Sequence, residues 1–80
     1  MHSWIYVLES AKRNIRYVGS TDNVVKRLAQ HNAGKCNFTK SAKDWKLVYK
    51  KEFASRSEAV KQERYLKSGV GRKFLDGILK

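Results

Sequence analysis

The sequence predicts an α+β fold: a three-stranded antiparallel sheet flanked by helices in the order β-β-α-β-α-α, within a single domain over residues 1–80. Three observations predict it. Two short apolar runs, Trp4-Ile5-Tyr6 and Tyr17-Val18-Gly19, flank a polar stretch at residues 10–14 and read as one β-hairpin. Alternation returns once more, where Trp45, Leu47, Tyr49 and Phe53 interleave with Lys46, Lys50 and Glu52. Apolar residues at helical spacing occupy the segment between these strands and the whole of the chain after them.

The first strand, residues 4–8, sets Trp4, Tyr6 and Leu8 against Ile5 and Val7. A strand apolar on both faces belongs in the middle of a sheet. Its partner covers residues 15–20, and a hairpin folded about its midpoint sets Tyr6 opposite Tyr17. A register slip of two residues keeps both phenols on one face, whereas a slip of one separates them. Gly19, at the end of this strand, marks either a close backbone approach to a substrate or the turn into the next helix.

A helix capped by Thr21 or Asp22 runs to about residue 33, with Gly34 just beyond its end. Its inward stripe is Val24, Val25, Leu28 and Ala29, and Arg27 and His31 project together from the border. Residues 34–44 lack a period and carry Lys35, Lys40 and Lys43 around Asn37, Phe38 and Thr39, a basic loop on the substrate side. The third strand follows, with one apolar and one largely polar face. Ser55, with Glu58 three residues on, forms a capping box for a helix reaching about residue 67. Ala59, Val60 and Leu66 form its inward face, and Glu63 falls among them. A carboxylate there needs a partner, either Lys67 four residues on or a divalent cation. A last helix places Val70, Phe74 and Ile78 with Leu75 and Leu79 to close the interior, while Arg72 and Lys73 extend the basic surface.

Charge narrows the function. The chain has 18 Lys and Arg against 7 Asp and Glu, a net charge of +11, which points to a polyanionic partner. No apolar run approaches the roughly 20 residues of a spanning helix, so nucleic acid is favoured over membrane. The single Cys36 suits a reducing cytoplasmic compartment and argues against a structural zinc site. Eighty residues leave room for one modest core.

Tyr6, Tyr17-Val18-Gly19, Ser20-Thr21, Arg27-Leu28, His31-Asn32, Gly34-Lys35, residues 45–49 and Glu63, taken in that order, resemble the GIY-YIG nuclease superfamily. The likeness covers residues 4–73 and is nearest to the small stand-alone bacterial members, the UPF0213-like group. Trp4 stands where the family usually has Gly, and residues 69–80 hold no clear equivalent of the polar residue, often Asn, that many relatives carry after the Glu. The resemblance implies a metal-dependent endonuclease hydrolysing phosphodiester bonds in DNA, with RNA a second option, in a repair or recombination setting. By that likeness Tyr6 activates the attacking water, Tyr17 positions the water or the phosphate, and Arg27 offsets phosphorane charge. Glu63 holds Mg²⁺ or Mn²⁺, and His31 relays a proton. Lys35, Lys40, Lys43, Arg72 and Lys73 are the expected nucleic-acid contacts. A bare domain of this size favours structure-selective or weakly sequence-specific cleavage by a monomer, with any further specificity supplied by a protein partner. The alternative is a basic nucleic-acid-binding domain on the same scaffold with little or no catalysis; an accessory docking on ribosomal RNA or protein is a third reading.

Overall fold

Backbone hydrogen bonding places β1 (Ser3–Ser10) between two neighbours in the order β2-β1-β3, antiparallel on both sides, in a computed structural model that describes residues 3–35 and 42–79. β2 is Ile15–Thr21 and β3 is Lys46–Phe53; α1 (Val24–Asn32), α2 (Arg56–Lys67) and α3 (Gly69–Leu79) complete the expected order. β1 is central because both of its faces are apolar, and Ile5, Tyr6, Val7 and Leu8 are all buried.

The sheet divides the apolar interior, so the single core expected from chain length is two clusters. Tyr6, Leu8, Val24, Ala42 and Trp45 pack on the α1 face. Ile5, Val7, Val18, Ala59, Leu66 and Leu75 pack on the α2–α3 face. β3 serves both, which corrects the expectation of one apolar and one polar face. A bulge opposite Val7 and Leu8 inserts one residue, so Leu47 pairs with Leu8 but Tyr49 pairs with Val7. Trp45 and Leu47 therefore join the α1 side, and Val48, Tyr49 and Phe53 join the other.

The hairpin register differs by two residues from a midpoint fold. Ser10 pairs with Ile15 across a four-residue turn in which Asn14 takes φ 52°, a left-handed conformation that Asn tolerates. Tyr6 consequently faces Gly19, and Tyr17 faces Leu8. Asp44 braces the turn from outside: its carboxylate accepts from the Ser10 hydroxyl at 2.6 Å and from the Lys12 N–H at 3.1 Å.

β2 continues through Thr21, which moves the α1 cap to Asn23 rather than Thr21 or Asp22. The Asn23 side chain accepts from the Lys26 N–H at 3.0 Å, while the Thr21 hydroxyl accepts from the Asn23 N–H at 3.2 Å. Gly34, at φ 76°, ends the helix in a Schellman motif, with its N–H donating to His31 and the Lys35 N–H to Gln30. The inward stripe is rotated from the expected one. Val24 and His31 are buried, Arg27 and Leu28 are half-buried, and Val25 is 81% exposed with Ala29 also outside. Asn32 then clamps the helix end to β3, accepting from the Trp45 N–H at 2.8 Å and donating to the Trp45 carbonyl at 3.1 Å.

α2 begins as its capping sequence predicts, with the Ser55 hydroxyl accepting from the Glu58 N–H. α3 is turned from expectation: Gly71 and Leu75 face inward, while Val70, Phe74 and Ile78 are exposed. The cause is how closely α3 lies on α2 at Gly71, where an added Cβ would run into the Tyr65 carbonyl oxygen. Among the described residues no helix is long and apolar enough to cross a membrane.

Candidate active site

Tyr6 is the centre of a hydrogen-bonded group built from β1 and α1. Strand alternation points its ring at α1, and the 3.6-residue period sets Arg27 and His31 four apart on the facing side of that helix. The phenol oxygen and His31 Nε2 are 2.8 Å apart, fully buried, and Arg27 Nε donates to the same oxygen at 3.4 Å. Which of Tyr6 and His31 donates depends on the imidazole tautomer: with the ring proton on Nδ1, His31 Nε2 accepts the phenol proton. Gln30 accepts from Arg27 Nη1 at 3.1 Å and holds the guanidinium in place. Tyr17 closes the group, its ring centroid 6.2 Å from that of Tyr6 and 5.0 Å from that of His31.

Burial, and after it the charge of Arg27, holds the His31 pKa below its ordinary 6.5. His31 is therefore a neutral imidazole near pH 7, able to accept the phenol proton. The unfolded chain regains the ordinary value, so stability present above about pH 6.5 is lost as pH falls toward the folded-state pKa. Melting temperature is accordingly expected to decline between about pH 7 and 5.5, and His31→Gln to flatten that decline. The depressed pKa of Asp44, caused first by the Ser10 hydroxyl and then by the Lys12 N–H, acts in a separate window below its ordinary 3.8.

Gly19 does not serve a turn into the next helix, because β2 continues past it to Thr21. It lies inside β2 opposite Tyr6, and an added Cβ would be 2.6 Å from the phenol oxygen and 3.0 Å from Tyr17 Cε2. Gly19→Ala is expected to push the phenol off His31, costing about 1–3 kcal/mol of stability by overpacking. Chemical denaturation measures this loss, and the His31 imidazole resonances report the displaced phenol.

Glu63 lies across the edge strand from the tyrosines. Ser20, paired with Ile5, faces α2, and its hydroxyl donates to Glu63 Oε1 at 2.8 Å. Lys67 Nζ pairs with Oε2 at 2.8 Å and also lies over the Tyr17 ring, 5.7 Å from its centroid. Glu63 is thus tied to the tyrosines through Lys67 and through Ser20, the residue after Gly19. Among the described residues no group of three or more His, Cys, Asp or Glu side chains is placed to hold a metal ion. One carboxylate beside a hydroxyl fits only a hard divalent cation that takes its other ligands from water and substrate phosphate.

A cleft of about 510 Å³ opens beside Arg27, and neither the tyrosines nor Glu63 line it. Arg27 and Gln30 line it from α1 and Ser20 from β2, with Lys26 and Arg56 at its sides. Lys26 and Arg56 are not among the basic residues expected to meet nucleic acid; their signal, two cations beside helix N-termini, is common in any basic chain. Arg72 lines a second hollow of about 620 Å³ with Tyr17 and Lys67. Lys35, Lys43 and Lys73 are exposed and line neither hollow, and Lys40 falls outside the described residues.

Comparison with known proteins identifies the family of the chain. The family profile of the GIY-YIG catalytic domain matches residues 2–74. A UPF0213 protein of Staphylococcus haemolyticus is 41% identical over 66 residues, 81% of this chain and 79% of the relative. One from Listeria monocytogenes is 39% identical over 77 residues, 95% of this chain and 84% of the relative. The solution NMR structure of a UPF0213 protein from Bacillus halodurans superposes with a TM-score of 0.59 at 28% identity, covering 98% of this chain and 85% of that one.

Proposed function

Since the chain belongs to the GIY-YIG catalytic-domain family, and so to a nuclease superfamily, we propose that it is a divalent-metal-dependent endonuclease that hydrolyses phosphodiester bonds in DNA. The observation that carries this reading is the Arg27–Tyr6–His31 group: a buried phenol that receives a hydrogen bond from a guanidinium and abuts a neutral imidazole. A binding module has no use for such a proton path.

In the proposed reaction the Tyr6 oxygen takes a proton from the attacking water while its own proton passes to His31 Nε2. The water oxygen bonds to phosphorus and the bond to the leaving oxygen breaks. Tyr17, which lines the second hollow, orients the water or the scissile phosphate. Arg27 offers a planar cation to the non-bridging oxygens, which gather charge as phosphorus becomes five-coordinate. Glu63 would hold the divalent cation, whose chemistry is Lewis-acid stabilisation of the leaving oxygen. Lys26 and Arg56 would hold neighbouring phosphates by charge alone, which suits selection of nicked, branched or single-stranded DNA over a long base sequence. Such substrates fit a repair or recombination role.

The Glu63–Lys67 pair favours a second reading, in which the carboxylate only braces a basic binding domain. Nicking of supercoiled plasmid and of a branched duplex, with Mg²⁺, Mn²⁺ or EDTA, separates the two. The nuclease reading expects cleavage with metal and none in EDTA; binding without cleavage under any of these metals would leave the binding domain.

A further inference from the structure

Lys67 stands where two demands on Glu63 meet. Its ammonium is 2.8 Å from Oε2, the oxygen left over when Ser20 occupies Oε1, and it reaches across the edge of β2 to the ring of Tyr17. The two partners are unequally held. The Glu63 side chain is 23% exposed and anchored by Ser20, whereas that of Lys67 is 50% exposed and sits on a flexible stem at the last residue of α2. A pair of this kind, one helical turn apart and half in water, is weak, and its lysine leaves at little cost. An ammonium and a divalent cation on the same oxygen would also repel one another, so Oε2 accepts only one of them at a time.

We propose that Lys67 is the exchangeable counter-cation of Glu63, competing with the divalent cation for Oε2 and holding metal affinity down until a substrate phosphate adds its own ligands. This rests on the assignment of Glu63 as the metal ligand. In the protein without nucleic acid, Lys67 offsets the carboxylate's charge and holds Oε2 while its ammonium lies over Tyr17. Metal loading requires the side chain to swing out over the 620 Å³ hollow that it lines with Arg72.

The test is titration of the ¹⁵N-labelled full chain with Mn²⁺ in the absence of nucleic acid. Paramagnetic broadening of the Ser20, Glu63 and Lys67 amides gives both location and affinity. Lys67→Met keeps the length of the stem and removes the charge, and is expected to tighten Mn²⁺ binding about three- to tenfold. Glu63→Gln, with wild-type chemical shifts elsewhere as the check on folding, is expected to abolish broadening at this site. Equal or weaker Mn²⁺ binding by Lys67→Met, with loss in Glu63→Gln, would overturn the exchange and leave Glu63 as ligand. Undiminished binding by Glu63→Gln would overturn the metal assignment and the exchange with it. A lysine acting only as a brace for α2 would shift stability and leave metal affinity where it was.

Discussion

Glu63→Gln and Arg27→Ala are each expected to slow plasmid nicking by about two to three orders of magnitude, the range seen when one preorganised group facing transition-state charge is removed. The two losses have different origins. The amide introduced by Glu63→Gln keeps the shape and can still accept from Ser20, but it offers no charge to a cation or to Lys67. Arg27→Ala removes the guanidinium from the cleft and at the same time takes away the donor on the Tyr6 phenol. Arg27→Lys is an informative intermediate, since a point charge replaces a planar fork and leaves the phenol without its directed donor. DNA affinity is expected to fall only a few-fold in Arg27→Ala, where one phosphate contact is lost and the logarithmic salt slope drops by about 0.9, and not to fall in Glu63→Gln, which removes a negative charge. Gel-based nicking rates beside equilibrium binding at two salt concentrations check both halves. Equal cleavage by wild type and variants would sink the assignment of the site.

Gly71→Ala is expected to be strongly destabilising. Alanine improves an ordinary helix position over glycine by about 1 kcal/mol, so helix propensity by itself predicts a gain. Contact decides the sign. At Gly71 the new Cβ would overlap the Tyr65 carbonyl oxygen and lie 2.5 Å from Leu66 Cα, both backbone atoms that no rotamer change can move. α3 would have to lift off α2 and draw Leu75 from the core it shares with Leu66. A loss of about 3 kcal/mol is expected, a large share of the total for a domain of this size, and a melting temperature lower by roughly 12–24 °C. Gly77→Ala is the control. Nothing stands within 4 Å of its Cβ position, so a gain of about 0.5–1 kcal/mol is expected by propensity. Calorimetry on the two variants checks the contrast, and similar losses in both would show that helix contact is not what Gly71 serves.

Element order and the central place of β1 were legible because they depend on local pattern: alternation marks strands, and apolar residues on both faces mark a strand that is covered twice. The Ser55 cap and the inward position of Glu63 were legible for the same reason, since spacing within one helix sets them. The rotation of α1 was not. Counting apolar residues places Val25 inside and His31 at the border, whereas the folded chain buries His31 and exposes Val25. A neutral imidazole satisfied by a phenol is inexpensive to bury, but its satisfaction depends on a partner 25 residues away. The β3 bulge was hidden too, because one inserted residue exchanges the faces of everything after it without altering composition.

By itself the sequence determined the fold class and a basic charge that suits a polyanionic partner, both of which follow from residue type and short-range period. The family resemblance it carries named Tyr6, Tyr17, Arg27, His31 and Glu63 as the candidate site. Only the tertiary structure decided that Tyr6 faces Gly19, that Arg27 and His31 meet on one phenol, and that Glu63 is held by Ser20 and Lys67. Each of those depends on a register, a helix rotation or a cross-strand contact. Such quantities are settled by packing the whole chain at once, when the volume of one side chain determines where another can lie.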